Sequence, residues 1–429
     1  MKLLLLSNVH PKGKKDSSIS LILGIMLLLC TLCVLLPRRY SRVGEIDLLS
    51  SLYYTFIVVF SLLILYGKIP ARRSILEPVF SLTLLFFSIG MSYYRYAFGS
   101  VRDFSELWRS VFLSIIIIGC RLISTVRVSK EECKKYLKAL TVIVTISMGI
   151  SIIWSLSFNT TIENADNLRI LSAGVGIVRA TSPFGGPNLV GALGAIIFPL
   201  TLLFQGKLKY VPPIVVFVGT ILTGSKTGIL SLLCSLIIIT LFFLPKKTVQ
   251  SFLLVIVILG IGLFITVRYD LRIMDLLNPK LALQSGGSFR IRTWQEAIGL
   301  IAEKPIFGWG KDYLYYGRLY SQSFSAHNVW LQLFLDYGIF VGFVASMLLF
   351  SSICYIVYWG FKMKGSGLLI ASSSISFFVS SFGDYIFWES RALIIMSLLF
   401  GAYLMLVNNG VDFIVKTVGG KNDANCGCS

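Results

Sequence analysis

Charged side chains are scarce in this sequence, and their scarcity excludes a soluble protein. Only 14% of the 429 residues are charged, whereas 55% are hydrophobic, and the mean hydropathy is +0.81. A soluble domain of this length could not cover so much apolar surface. Acidic residues are the rarer charged group, with 20 against 39 lysines and arginines. In a membrane protein this excess reflects topology and anionic lipids, so we expect no nucleic-acid partner.

Histidine is nearly absent, which makes metal chemistry a poor prediction. The chain has two histidines, His10 and His327, and no HExxH or DxD motif. Glu45 and Asp47 form the best acidic pair, but arginines precede them and a solvated loop explains both. We therefore predict no metal ion and no cofactor.

The eight cysteines do not form the pattern of a disulfide framework. Half of them, Cys30, Cys33, Cys234 and Cys354, fall inside long apolar stretches. Cysteines in such stretches are typically small packing residues. None of them enters the functional prediction.

Long apolar runs, in contrast, recur along the whole chain. A hydrocarbon core of about 30 Å requires about 20 helical residues at about 1.5 Å each, and these runs have that length. We predict an all-α polytopic membrane bundle that forms a single domain over residues 1–429. The twelve predicted spans are 18–36, 48–66, 75–93, 107–122, 137–156, 188–205, 210–224, 227–244, 250–267, 328–350, 366–383 and 391–408.

The distribution of basic residues predicts the orientation of the bundle. Lysine clusters such as Lys134–Lys135 and Lys246–Lys247 all fall on the side of the N-terminus. Lysine marks the cytoplasmic side, so both ends, including a tail over 409–429, are predicted to be cytoplasmic. Most arginines fall on the outer side, where the guanidinium suits phosphate binding. Some of them instead anchor span ends or pair with outer acids.

Two outer segments are long enough to carry a site, 157–187 and the larger loop 268–327. In the larger loop, Ile291, Trp294, Ile298 and Ile301 recur at helical spacing and predict a short amphipathic interfacial helix from Arg290 to Glu303. Lys304-Pro305 stops this helix, and Gly308-Trp-Gly310 predicts a flexible aromatic turn. The chain then returns to the membrane at His327, close to the start of a helix.

His327 is the predicted catalytic base. It is the sole histidine on the outer side, and imidazole, with an ordinary pKa of about 6.5, suits proton transfer near neutral pH. Alternatively, an interfacial histidine serves as an anchor or a cap. Arg290 and Arg179 would hold an anionic phosphate ester beside it, in a transfer in which pyrophosphate leaves.

Three further side chains are weaker candidates for substrate binding. Arg292 lies two residues after Arg290 and points to a different helix face. Lys226, in the tight turn Thr223-Gly-Ser-Lys-Thr-Gly228, lacks the spacing of a phosphate loop and could face the same pocket. Asp336 lies inside a predicted span, where a carboxylate is costly and usually functional, so it could orient or pair with an outer arginine.

The segment from Arg290 to Gly342 resembles the signature region of the O-antigen ligase and polymerase family. The resemblance rests on Arg290 four residues before Trp294, then Pro305, a hydrophobic pair and Gly308-Trp-Gly310, and on His327-Asn328 followed by Gly338. Arg179 with Pro187-Asn188, and Ser225-Lys226, resemble upstream motifs. The chain departs from the pattern in having Lys226 in place of an arginine and one extra residue between Gly338 and Gly342.

The resemblance implies a metal-independent membrane glycosyltransferase that uses an undecaprenyl-diphosphate-linked glycan. In it His327 would be the general base, Arg290 and Arg179 would stabilise the departing diphosphate, and Asn188 and Asn328 would line the site. Membrane lipids, the lipid-linked donor and a glycan acceptor are the implied partners, with a flippase and chain-length regulators as further ones. A multi-pass protein of the bacterial plasma membrane is expected.

The first functional hypothesis is a polymerase that joins lipid-linked repeat units into capsule, O-antigen or exopolysaccharide. A ligase that transfers the finished glycan to a lipid or cell-wall acceptor shares the same residues. A transporter of anions is a different class, which predicts charges at the membrane midplane. A scaffold, the remaining class, would not depend on His327.

Overall fold

The computed structural model describes residues 130–157, 186–206, 209–243, 287–309, 326–383 and 390–419, with scattered positions between 24 and 97. These ranges are helical, and the strands β1 (Arg42–Val43) and β2 (Ile46–Asp47) form a two-residue antiparallel ladder. The helices are α1 (Lys130–Ser157), α2 (Pro187–Ile197), α3 (Val211–Leu222), α4 (Lys226–Phe243), α5 (Gly287–Glu303), α6 (Val329–Met363), α7 (Ser366–Gly383) and α8 (Ser390–Gly419). A 3-10 helix (Phe198–Leu203) continues α2.

The predicted spans that fall within the described ranges are helical there. The stretches predicted over 137–156, 188–205, 210–224, 227–244, 328–350, 366–383 and 391–408 all coincide with helices. Within the described ranges, three helices are long and apolar enough to cross a membrane: Glu131–Ile153, Val329–Met363 and Ser366–Gly383. The other predicted spans lie outside the described residues, apart from scattered helical positions, so their number stays a prediction.

The outer faces of the long helices are apolar. On α1, Val142, Ile146, Ile150 and Ile153 recur every three or four residues and are exposed. Such a stripe would be unfavourable in water and is stable against lipid. The described part of the chain is therefore built as a membrane protein.

Helix α7 packs in the interior through serines. Ser380 donates to Ser231 of α4 at 2.7 Å, and Ser376 donates to the Ser231 carbonyl at 3.1 Å. Ser373 and the Tyr403 hydroxyl of α8 are 2.6 Å apart. Small hydroxyl side chains let helices approach closely and form hydrogen bonds with one another away from water, as is typical of membrane bundles.

Helix α6 is bent at Gly338, which has φ 76° and ψ 178° inside the helix. A continuous helix would pair the Leu335 carbonyl with the Ile339 N–H. Here the Leu335 carbonyl accepts from Trp309 N–H at 2.8 Å, and Ile339 N–H donates to the Pro305 carbonyl at 2.7 Å. The backbone after α5 is thus inserted into the bend of α6.

The bend also divides α6 into two environments. Before it, the side chains from Val329 to Tyr337 are buried or half-buried, whereas after it Phe340 is 72% exposed and Phe343 is 54% exposed. The lipid-facing stripe therefore begins after Gly338. Asp336, which the sequence placed in a span, belongs to the protein-enclosed part before the bend.

Candidate functional site

The start of α6 meets the end of α7. The Asn328 amide donates to the Phe382 carbonyl at 3.4 Å, and the Trp330 indole donates to Ser381 at 2.9 Å. These contacts place His327, the residue before Asn328, beside the last turn of α7.

The same end of α7 contacts the start of α4. A side chain at Gly383 would collide with Thr227, the second residue of α4. Thr227 in turn accepts a hydrogen bond from Arg290 Nη1 of α5 at 2.8 Å. The contacts connect His327, Thr227 and Arg290 through Gly383 and gather four helices at one end of the bundle, which we call the His327 end.

Helix α2 begins at this end as well. Gly191 and Gly228 let α2 and α4 touch along their backbones, because a Cβ at Gly228 would lie 2.7 Å from the Gly191 carbonyl carbon. Asn188 lies in the first turn of α2, and Lys226 is the first residue of α4 and is half-buried. The structure therefore brings both predicted binding residues to the His327 end.

His327 occupies an unusual backbone conformation. Its φ is +46°, a region that only a few per cent of non-glycine residues adopt, with asparagine, aspartate and histidine the most frequent among them. Asn328 follows as the N-cap of α6, where its side-chain oxygen accepts from Trp330 N–H and Leu331 N–H at 3.0 and 3.1 Å. The half-buried His327 therefore lies immediately before a capped helix, as predicted.

Asp336 is held by Gln332. The Gln332 amide donates to Asp336 Oδ1 at 2.7 Å, while its oxygen accepts from the Ala326 N–H at 2.9 Å. Gln332 is fully buried, and Asp336 is 3% exposed. The carboxylate predicted to be functional is thus connected, through one side chain, to the backbone before His327.

The segment after α5 fixes this helix against α6. Trp309 is 7% exposed, and its indole donates to the Leu300 carbonyl at 2.6 Å. The Lys304 ammonium lies 3.8 Å from the centre of the Trp309 ring. The turn was expected to be flexible. Trp309 is instead fixed by hydrogen bonds to α5 and α6 and by burial of its indole.

A helix predicted over Arg290–Glu303 is present as α5, with a different buried face from the one predicted. Thr293, Ala297 and Leu300 are its buried residues, whereas Ile298, from the predicted apolar stripe, is 56% exposed. Glu296 lies on this helix, and burial raises the pKa of its carboxyl above the usual value. The buried stripe includes a threonine and an alanine, so hydrophobicity alone did not identify it.

The structure does not describe the side chains of two predicted site residues. Arg179 lies outside the described residues, and Arg292 is located only as a backbone position in α5. Within the described ranges, no three histidine, cysteine or acidic side chains cluster to hold a metal ion. The sequence prediction missed Thr227 and Gln332. A polar residue four positions before Asp336 was the available signal for Gln332.

These features define a helical membrane protein with a basic and polar site at one end of its bundle. Residues 214–346 match the profile of the family described as O-antigen ligase. The match covers α4, α5 and the start of α6, and therefore Arg290, His327 and Asp336. Over these residues the chain is similar to the O-antigen ligase family.

A curated relative extends the similarity beyond this segment. The chain is 26% identical over 394 residues to a ComP-specific O-oligosaccharyltransferase of Acinetobacter baylyi (strain ATCC 33305 / BD413 / ADP1). The aligned region covers 83% of this chain and 67% of the relative. The comparisons support glycan transfer as the class of activity.

Proposed function

We propose that this protein is a membrane glycosyltransferase that moves a glycan from an undecaprenyl diphosphate carrier to an acceptor hydroxyl, at the outer face of a bacterial plasma membrane. The observation that carries the proposal is the meeting of Arg290 and His327 at one end of the bundle. Arg290 lies in α5 and His327 precedes α6, and the two are connected through Thr227 and the end of α7.

In this reaction His327 takes the proton of the acceptor hydroxyl, and the oxygen attacks the anomeric carbon of the donor. The bond between that carbon and the diphosphate breaks, and its electron pair stays on the departing diphosphate oxygen. Arg290, with Arg179, which precedes α2 in the sequence, stabilises the charge that develops there. Attack from the face opposite the leaving group inverts the anomeric configuration.

The positive ends of two helices support an anionic donor at this site. Helices α4 and α6 both begin at the His327 end, where the positive ends of their dipoles favour a negative charge, while Asn328 binds the N–H groups of Trp330 and Leu331 in α6. Lys226 adds a cation at the first residue of α4. Arg292, Asn188 and Asn328 complete the proposed binding set, whereas the Asp336 carboxylate accepts a hydrogen bond from Gln332.

Two acceptors fit this chemistry. The names of the matched family and of the relative favour a ligase-type reaction, in which the glycan is transferred to a lipid or cell-wall acceptor. The polymerase predicted from sequence would use a second lipid-linked repeat unit instead, with a flippase and chain-length regulators as partners. Both forms use the same base and the same arginine.

Accumulated glycans distinguish the two forms. In cells that lack this protein, long chains left on the lipid carrier support the ligase, whereas single repeat units support the polymerase. Unchanged glycans in these cells would contradict both forms.

Substitution of the proposed base tests the mechanism. We expect His327→Ala to reduce glycan transfer by at least about 100-fold, within the range typical of a lost general base. His10→Ala, which removes the other histidine, should retain transfer. Wild-type transfer by a membrane-inserted His327→Ala protein would exclude the base assignment.

A further inference from the structure

The chain turns at His327 just before α6, and this turn, not the kink at Gly338, is called the bend here. It is held from inside the bundle by the polar side chains of Gln332 and Asp336. We propose that these are positioning residues, which fix the His327 backbone through hydrogen bonding and take no part in proton transfer. This role rests on the proposed function only in naming His327 as the base. The contacts that support it come from the structure alone.

The first contact closes the bend. Ala326, the residue before His327, is fully buried, and its N–H donates to Gln332 Oε1 at 2.9 Å. A left-handed residue such as His327 persists only where its surroundings hold it in place. The hydrogen bond from Ala326 and the Asn328 cap hold the chain on both sides of His327.

The second contact fixes the orientation of the Gln332 amide. Gln332 Nε2 donates to Asp336 Oδ1 at 2.7 Å, so the amide nitrogen faces the carboxylate and its oxygen faces Ala326. A rotated amide would place an NH₂ donor against the Ala326 N–H and lose both bonds. Asp336 thus specifies which end of the amide faces the bend.

The chemistry of the pair explains the residue types. Gln332 must accept from a backbone N–H and donate to an acceptor four residues later, and among side chains of this length an amide does both. Glutamate would offer a second carboxylate against Asp336. Asparagine at 336 would still offer a carbonyl oxygen, so we expect the charge of Asp336 to be dispensable.

The reactivity of His327 measures its position without any glycan substrate. In a full-length His10→Gln protein, His327 is the single imidazole, and diethyl pyrocarbonate modifies it at a measurable rate. We expect Gln332→Met and Asp336→Ala to raise this rate at least about threefold, because a loosened bend exposes the half-buried ring. Asp336→Asn should react at the rate of the parent protein.

Ser346→Ala is the matched control. Ser346 is another buried polar residue of α6, and it lies after the kink at Gly338. It should leave the modification rate unchanged. A monodisperse detergent-solubilised protein with the parent melting temperature shows that a variant is folded. If Asp336→Ala does not fold, Gln332→Met alone decides the proposal.

Two results would overturn the positioning role. Equal rates in folded Gln332→Met and parent proteins would show that the bend does not depend on the amide. An Asp336→Asn rate as high as that of Asp336→Ala would show that the charge is required. Neither result depends on the glycan reaction, so a failure of the proposed function, seen as transfer by His327→Ala, remains distinguishable.

In cells, glycan transfer should follow the same order as the modification rates. Misplacing a catalytic group by about 1 Å can lower the rate by about 100-fold. We therefore expect a loss of about 10- to 100-fold in Gln332→Met and less than about a threefold change in Asp336→Asn. A full loss in Asp336→Asn with normal His327 reactivity would make Asp336 a catalytic residue instead.

Discussion

Thr227, an uncharged residue, determines the orientation of the Arg290 guanidinium. Its hydroxyl accepts from Arg290 at 2.8 Å, and the side chain is 6% exposed and packed against Gly383. A guanidinium has five N–H donors in a fixed plane. Holding one of them orients the others, which we propose face the diphosphate.

Replacing Thr227 by valine removes the hydroxyl and keeps the shape. We expect Thr227→Val to lower glycan transfer by about 10-fold, because an isolated hydrogen bond to a charged group contributes about 1.5–3 kcal/mol. Thr227→Ser retains the hydroxyl and should retain most of the transfer. Equal activities of the valine and serine variants would show that Arg290 does not depend on this bond.

Glu296 gives a prediction about the pH dependence of stability. Burial raises the pKa of its carboxyl above the ordinary 4.5 in the folded protein. The folded state therefore binds the proton more tightly than the unfolded state, and this contribution to stability is lost as the pH rises through the folded pKa. At pH values above the folded-state pKa, the ionised Glu296 carboxylate destabilises the fold.

Glu296→Gln should consequently become more stabilising, relative to the parent, as the pH rises from below about 4.5. Melting temperatures of both proteins in detergent, measured at intervals from about pH 4 to about pH 8, test this. A difference that stays constant, or that declines with rising pH, would contradict the raised pKa.

At the scale of elements, the bend in α6 depends on the absence of a side chain at Gly338. Its φ is 76°, and a Cβ there would lie 2.6 Å from the Ile306 carbonyl carbon and 2.9 Å from the Pro305 oxygen. The inserted segment connects α5, which carries Arg290, to α6, which begins after His327. Loss of this contact should therefore affect both stability and the site.

We expect Gly338→Ala to lower the melting temperature and to reduce glycan transfer. The matched control is Gly365→Ala, because Gly365 also has a positive φ, 49°, but no atom lies within 4 Å of the position that its methyl group would take. Both variants place a side chain at a positive φ, whereas Gly338, with ψ 178°, lies in a region that is essentially restricted to glycine and its alanine variant adds a collision. Equal melting temperatures of the two variants would show that the Pro305–Trp309 segment accommodates the added methyl group without loss of stability.

The sequence predicted the helices well because each helix has a local signal. Apolar runs set the lengths of α3, α4 and α7, and Lys304-Pro305 correctly predicted the end of α5. Contacts between helices have no such signal. Arg290 and Thr227 are 63 positions apart, and neither the pattern around Thr227 nor that around Arg290 shows that their helices meet.

The bend of α6 was unpredictable for a related reason. A glycine in an apolar run is compatible with a straight membrane helix, and only the inserted Pro305–Trp309 segment provides partners for the freed backbone groups. His327 and Asp336 could be selected by their rarity and by the cost of a buried carboxylate. Gln332, which connects them, becomes evident only from its two hydrogen bonds.

At the scale of the whole molecule, α6 separates two chemically different ends. His327 precedes its first turn, whereas Lys362 lies in its last turn, with the ammonium 4.5 Å from the centre of the Tyr358 ring. Lys209 lies similarly, 4.7 Å from the Tyr210 ring centre, just before α3. Lysines that extend along aromatic rings are typical of the membrane–water interface, and an excess of lysine indicates the cytoplasmic side.

The predicted orientation can be tested at the two ends with single cysteines. In a variant without its eight native cysteines, Glu303→Cys places a thiol on the exposed last residue of α5, and Lys364→Cys places one on an exposed position after α6. We expect a membrane-impermeant maleimide added to right-side-out vesicles to label position 303, and to label position 364 only after permeabilisation. In the proposed reaction, the donor diphosphate would reach His327 from the side on which Glu303 is labelled, because Glu303 and His327 both lie outside the lipid-facing part of α6, which begins after Gly338. The opposite labelling pattern would invert the bundle and place glycan transfer on the cytoplasmic side, and equal labelling at both positions would mean that α6 does not separate the two compartments.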